Sequence, residues 1–298
     1  VDTSLKNKSR RSGSILRRWN MPPTSDAIAE CRFTIANFAR DGHRIYDSSE
    51  VEMRLNGKTA IVTGAGSGFG AGIAQKFAQE GAQVMVSDIN MDAAQTVANS
   101  IGGLAQHADV ASNASVQQMI TAAEAHWGHI DILVNNAGIT HLPTPMEDVS
   151  EDEFDRVFAV NAKSVYLTAR HIVPLLKRQN SGVILNIAST AGISPRPNLN
   201  WYNASKGWMI TATKAMAVEL APFNIRVNAL NPVAGETPLL ASFMGEDTPE
   251  MRAKFLATIP LNRFSTPQDM GNAASFLCSD EASMITGVAL EVDGGRCI

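Results

Sequence analysis

Tyr202 and Lys206 lie four residues apart in "YNASK", one turn apart on the same face if this stretch is helical. From Trp201 onward the chain is rich in Ala, Met and Leu, which suits a helix. A phenol can exchange a proton with an alcohol oxygen, but an ordinary pKa of about 10 makes it a poor base near neutrality. An ammonium one turn away favours the phenolate and is expected to lower that value. On its own, such a pair is the common outcome of a half-buried aromatic beside a solvated charge. Tyr166 and Arg170 repeat the spacing without comparable surroundings and are expected to serve packing or an interface.

The elements around the pair decide between these readings. After Arg54 the chain alternates short apolar runs with helical segments. "KTAIVTG" reads as a strand, and "FGAGIAQKFAQEG" as a helix closed by Gly81. "AQVMVSD" is a second strand, followed by the helix "MDAAQTVANSIGG". "LAQHADV" leads into the helix around "SVQQMITAAEAHWG", and "IDILVNNAG" is a fourth strand. A long helix is expected from about Asp152 to Arg178, then the strands "GVILNIAS" and "NIRVNALNP" on either side of the Tyr202 helix. A helix from about Pro267 and the strand "GVALEVDGG" complete the pattern. This predicts an α/β fold in one domain, a doubly wound parallel sheet with helices on both faces. Such sheets bind ligands outside the carboxyl ends of their strands.

Two of those strand ends carry a second chemistry. The first ends in "TGAGSGFG", with Gly64, Gly66, Gly68 and Gly70 entering a helix. Glycines allow positive φ and close backbone approach to a pyrophosphate, and a helix N-terminus offers donors and partial positive charge. The second strand ends in Asp88, about twenty residues on, where an adenosine ribose would need an acceptor. The cofactor is expected to be NAD rather than NADP. Ser67 in the turn, and Ile89 and Asn90 after Asp88, leave no cation there for a 2′-phosphate.

Composition narrows the field. The chain has 298 residues, 45% hydrophobic, with net charge −4 and no dense basic stripe, which disfavours nucleic acid. No apolar run is long enough to span a bilayer, and Cys31, Cys278 and Cys297 are odd in number and scattered, as in a reducing cytoplasm. The six histidines make no metal motif; His126 and His129 lack a third ligand and are expected at the surface.

Together these motifs resemble the short-chain dehydrogenase/reductase family, over about Leu55 to Gly295. The resemblance rests on "TGAGSGFG", Asp109 in "ADV", "NNAG" at Asn135–Gly138, Asn161 in "VFAVNAKSV", Ser189 in "NIAST", "YNASK" and "NP" at Asn231–Pro232. It implies a Rossmann fold and a hydride exchanged between NAD(H) and a secondary alcohol or ketone, in the branch of 3-oxoacyl reductases and glucose dehydrogenases. It makes Tyr202 the general acid/base, Lys206 its modulator and a ribose ligand, and Ser189 the orienter of substrate oxygen. Asn161 is the fourth member, holding water at a helix irregularity and relaying protons through Lys206. Beyond Gly64, Gly68, Gly70 and Asp88, it assigns Ser67, Phe69, Asp109, Val110, Asn136, Ala137, Gly138, Pro232 and Thr237 to the cofactor site, with Tyr202 and Lys206. It further implies a homotetramer built on paired helices.

The substrate is expected over the nicotinamide, bounded by Ile193–Trp201 and by Gly235–Asn262. The second segment, with Leu239, Leu240, Phe243, Met244 and Met251, is expected to be a mobile lid. A 3-oxoacyl thioester is an alternative substrate. Alternatives of another kind are a nicotinamide-sensing module without turnover, against which Ser189, Tyr202 and Lys206 argue and which a turnover assay would decide, and a hydro-lyase or epimerase that recycles its cofactor.

Residues 1–53 are basic and polar without sustained periodicity, and lack the apolar core of a secretory signal. They are expected to be a disordered extension outside the catalytic unit, which would begin naturally at Met53. A chain truncated to start there should keep its activity and melting temperature nearly unchanged; a large loss of either would show that the extension packs on the domain.

Overall fold

The computed structural model describes residues 53–298. The expected extension, except for Met53, lies outside the described residues. Seven strands, β1 (Thr59–Thr63), β2 (Gln83–Asp88), β3 (Leu104–His107), β4 (Ile132–Asn135), β5 (Gly182–Ile187), β6 (Ile225–Pro232) and β7 (Ala289–Val292), form one sheet. Every pair in it is parallel and the order is β3-β2-β1-β4-β5-β6-β7. The expected doubly wound α/β architecture is therefore present.

Successive side chains of a strand point to opposite faces, so each apolar run feeds two cores. Ala60, Val62, Val134 and Leu185 pack against Phe77 of helix α1 (Gly68–Gln79) and Ala98 of α2 (Met91–Ile101). Ile61, Leu133, Ile184 and Val227 turn the other way, onto Met119 of α3 (Asn113–Trp127). The remaining long elements are α4 (Glu151–Phe158), α5 (Ser164–Gln179) and α6 (Asn200–Leu220), then the short α7 (Leu240–Met244) and α8 (Pro249–Leu256), and α9 (Pro267–Cys278). Leu176 of α5 and Leu220 of α6 join the second core; Met270 and Ala274 of α9 join the first.

The long helix expected over Asp152–Arg178 is two helices joined by a π-helical turn at Ala159–Lys163. A π turn loosens the i→i+4 ladder without ending the helix. A buried polar ladder ties helices to sheet. Asn135 Nδ2 donates to Asn186 Oδ1 (2.8 Å), Thr168 Oγ1 donates to Asn135 Oδ1 (2.9 Å), and Asn186 Nδ2 donates to Thr213 Oγ1 (2.9 Å). With each partner satisfied, the ladder sets where α5 and α6 sit over β4 and β5. The chain reverses its winding between β1 and β4, and the crevice at that switch point is where a ligand fits.

Candidate active site

Helix α6 starts at Asn200 and carries both Tyr202 and Lys206 into the protein, 5% and 4% exposed. The lysine is aimed by two features. Its Nζ donates to the Ile187 carbonyl at the end of β5 (2.8 Å), and it passes Gly138, where an added Cβ would stand 3.3 Å from Nζ. A side chain at 138 would crowd the ammonium on that path.

Sequence reasoning expected the ammonium to lower the phenol's pKa; the structure corrects this. Burial pushes Tyr202 up to about 12, with a hydrogen bond from Ser189 pulling the other way. Burial also pushes Lys206 down to about 8. Nζ lies 5.9 Å from the centre of the phenol ring and spends a proton on Ile187, so desolvation of both groups outweighs their mutual attraction. Ser189 follows β5, its own hydroxyl accepting from the Ala191 amide (3.0 Å).

Asn161 falls in the π turn and is fully buried. Its Oδ1 accepts from the Ile139 amide (2.9 Å), while Nδ2 donates to the Ile139 carbonyl (2.9 Å) and to Ser205 Oγ (3.0 Å). The side chain thus braces the turn that follows β4 against α6. Asn161 is not among the residues that line the cavity, and the π turn around it is the helix irregularity that the resemblance implied.

A cavity of about 460 Å³ opens at the carboxyl ends of the strands. Gly64, Ser67, Gly68, Phe69, Asp88, Asp109, Val110, Asn136, Ala137, Gly138, Ser189, Tyr202, Lys206, Pro232 and Thr237 all line it, as sequence reasoning placed them. Gly64 adopts φ +61°, and a Cβ there would collide with Ala137 Cα at 2.7 Å. Gly70 is the exception: it is buried against Asn136 and the Gly64 carbonyl rather than facing the cavity. It serves close helix–strand packing.

The donor set fits a dinucleotide. Asn90 and Ser112 cap their helices with side-chain oxygens, whereas Ser67, at the start of α1 beside the cavity, makes no cap bond. The N–H groups of that first turn are left for an anion such as a pyrophosphate. Asp88 accepts from the Gly66 amide with Oδ2 and from the Asn90 amide with Oδ1, both at 2.9 Å. It is held in place by backbone, and Asn90 rather than Asp88 caps α2. Asp109 is fixed similarly by the Ala111 amide (2.9 Å).

The other half of the cavity is lined by residues that motif reasoning reached only as segments, or missed. Phe243 crosses the Tyr202 ring edge-on at 5.0 Å between centres. Phe255, Arg196, Leu199 and Asn203 close the far side. Val160, Ile187 and Thr190 were not singled out, because apolar or small residues beside a motif carry no signal in one sequence. Trp201 turns away, stacking edge-on with Phe154 (5.4 Å) and donating Nε1 to the Met146 carbonyl (3.2 Å). Tyr166 accepts a hydrogen bond from Arg170 at the surface (3.0 Å), as its surroundings suggested. His126 and His129 bind nothing in common, and no metal-binding cluster occurs among the described residues.

Residues 64–296 match a family model described as Enoyl-(Acyl carrier protein) reductase. The 4-formylbenzenesulfonate dehydrogenase TsaC1/TsaC2 of Comamonas testosteroni is 50% identical over 252 residues, 83% of this chain and 100% of its own. This chain belongs to the short-chain dehydrogenase/reductase family. Another member, the 3-oxoacyl-[acyl-carrier-protein] reductase FabG of Thermotoga maritima, is 38% identical over 83% of this chain and 100% of its own. The 3-ketoacyl-(acyl-carrier-protein) reductase of Brucella melitensis, solved with NADH, is 52% identical with a TM-score of 0.78, over 82% of this chain and 100% of that one. As a short-chain dehydrogenase/reductase the protein is an oxidoreductase that uses a nicotinamide cofactor and acts on CH–OH groups. Among the described residues no helix is long and apolar enough to cross a membrane.

The buried lysine has a thermodynamic signature. Its folded pKa lies below the ordinary 10.5, so the fold disfavours an ammonium that the unfolded chain accepts freely. Its cost is therefore full below about pH 8 and disappears as pH rises toward 10.5. Lys206→Met should raise the stability of the cofactor-free protein at pH 7 by about 1–2 kcal/mol while abolishing turnover. The gain should shrink by pH 10. Thermal denaturation across that range checks it, and a lower melting temperature for the variant at pH 7 would refute it.

Proposed function

We propose that the protein transfers a hydride between NAD(H) and a small alcohol or carbonyl substrate, with Tyr202 as the acid/base. The observation that carries this reading is the buried Ser189–Tyr202–Lys206 cluster on the wall of the same cavity that the open end of α1 faces. A nicotinamide bound there would supply the hydride acceptor or donor, and carries positive charge when oxidised. Ser189 and Tyr202 would hold the substrate oxygen between two hydroxyls, and Tyr202 would take its proton on oxidation and return it on reduction. Lys206 would donate hydrogen bonds to a ribose and keep positive charge beside the phenolate. A water held at the π turn around Asn161 would exchange that proton with Tyr202 through Lys206.

Asp88 supports NAD: its carboxylate is fixed at the end of β2, and among the described residues no Lys or Arg lines that half of the cavity. Substrate class is read from the far half, with α7 and α8 serving as the lid over 235–262. The relatives' names span a formylbenzenesulfonate, cyclopentanol, a hydroxysteroid and an acyl-carrier thioester, so family membership alone leaves the substrate open. A cytoplasmic location belongs to this reading, one in which Cys278 and Cys297, free among the described residues, would stay reduced. A homotetramer is supported by exposed Tyr166 on α5 and by Trp208 and Val218 on α6. Light scattering should give four times the chain mass, and a stable monomer at micromolar concentration would oppose it.

Tyr202→Phe should fold and bind cofactor while losing roughly two to four decades of turnover. Because the phenolate is the proton acceptor and burial disfavours it, wild-type oxidation should rise with pH over the alkaline range, and reduction should fall. Substantial activity in Tyr202→Phe would assign the proton to another group.

The ratio of kcat/KM for the two cofactors on one substrate should favour NAD. Like charges at Asp88 and a 2′-phosphate cost roughly 1–4 kcal/mol, or about five- to several-hundredfold. Asp88→Ala should move the ratio toward NADP. A wild-type ratio near one would overturn the assignment.

A further inference from the structure

Arg196 lines the substrate half of the cavity and has no carboxylate within ion-pair distance among the described residues. This sets it apart from Arg178, Arg252 and Arg263, each paired with an acid, and from Arg226, which donates to three backbone carbonyls. Its guanidinium lies 4.1 Å from the centre of the Phe255 ring and reaches only a long contact to Thr258 Oγ1, at 3.5 Å. None of its unbonded donors is buried, so the guanidinium fork is open to an anion entering the cavity.

A second cation stands behind it. Arg296 donates from Nη1 to Ser194 Oγ (3.1 Å), and its Nε is buried without a partner. Burial, together with repulsion from Arg296, holds Arg196 down to about 10. It therefore remains a cation at neutral pH, and the charged group that acts on it is another cation, Arg296. The acids that line the cavity, Asp88 and Asp109, follow β2 and β3 and are bound to backbone amides, across the switch point from Arg196.

The placement of Arg196 relative to the reacting group is also defined. Asn203, the residue after Tyr202, donates from Nδ2 to the Arg196 carbonyl (2.8 Å). The arginine backbone is thus tied to the helix that carries the phenol. Between them the cavity wall is aromatic, with Phe243 against Tyr202 and Phe255 under Arg196. A flat ring held against these aromatic faces would bring its reacting carbon to Tyr202 and an anion to the guanidinium fork.

Resting on the reading above, we propose that Arg196 anchors an anionic group of the substrate, which is an aromatic alcohol or carbonyl compound bearing a sulfonate or carboxylate remote from the reacting carbon. Arg296 reinforces the positive potential without touching the ring. The same arginine would discriminate against an uncharged ring of equal size.

The test compares benzenesulfonate and benzoate with benzenesulfonamide, which keeps the sulfonate's shape without its charge. Each is titrated calorimetrically into the full chain saturated with NADH. At least one anion should bind about ten- to a hundredfold tighter than the sulfonamide, the range expected for hydrogen bonds to a charged group. Its advantage should shrink as salt is added. Preference for benzenesulfonate or for benzoate names the anion. Arg196→Met keeps the packing on Phe255 and should remove most of the discrimination; Arg196→Lys should restore part of it. Equal binding of anions and sulfonamide by the wild type overturns the proposal, as does discrimination that survives in Arg196→Met. If that variant fails to fold, the wild-type discrimination and its salt dependence still decide. Turnover of benzyl alcohol and 4-sulfobenzyl alcohol separates this from the underlying reading. Activity on both with equal kcat/KM sinks only the anion anchor. Activity on neither, with anion binding that depends on Arg196, sinks only the reaction.

Discussion

The burial of one ammonium organises the catalytic half of this protein. Lys206 sits almost without solvent, and its single hydrogen bond within the protein goes to a carbonyl at the end of β5. To reach that point it needs a helix starting immediately before Tyr202, a strand ending at Ile187, and a residue without a side chain at 138. Each of these belongs to a different element. None can move without stranding a charge in a low dielectric, which is far costlier than losing an apolar contact. The site is thus held by a group that the fold tolerates poorly, and the buried ladder from Asn135 through Asn186 to Thr213 supplies the rigidity this requires.

Asn161 shows how such a site recruits structure from a distance. Its amide meets both backbone groups of Ile139 and the hydroxyl of Ser205, so it joins the turn after β4 to the helix bearing the phenol. Ser205 Oγ in turn donates to the Tyr202 carbonyl (2.7 Å), which completes a closed path around the acid/base. The π turn is what lets Asn161 face inward while Ser164 donates back to the Val160 carbonyl, keeping the helix continuous on its other side.

What could be read in advance follows from how much each function constrains residue type. A glycine turn, a carboxylate at a strand end and a phenol–amine pair at helical spacing are each dictated by geometry or chemistry, so Gly64, Asp88, Tyr202 and Lys206 could be placed from sequence alone. The strands were legible because residues buried on both faces must be apolar throughout. Gly70 was misread because a glycine required for packing looks the same as one required for a ligand. Asn161 was expected at a helix irregularity, but its side-chain contacts could not be read, since hydrogen-bond partners twenty-two and forty-four residues away leave no local pattern. The direction of the tyrosine's pKa shift was missed for a similar reason: spacing along a helix reports the partner, while desolvation reports everything else packed around it.

The substrate half was the least legible, and the packing explains why. Val233, Leu240, Met244, Ile259 and Phe264 form a small core of their own under the segment 235–262. It shares no member with the two cores that clamp the sheet. Residues facing the cavity from this segment, such as Phe243 and Phe255, are therefore only loosely coupled to the stability of the domain. Arg196 lies outside all of these cores as well. Substitutions in this half can change which molecule fits without disturbing Lys206, Tyr202 or the glycine turn. A fold arranged in this way keeps one reaction and exchanges its substrates, so the chemistry is written in motifs while the specificity is written in a few side chains, such as one unpaired guanidinium, that only the assembled cavity reveals.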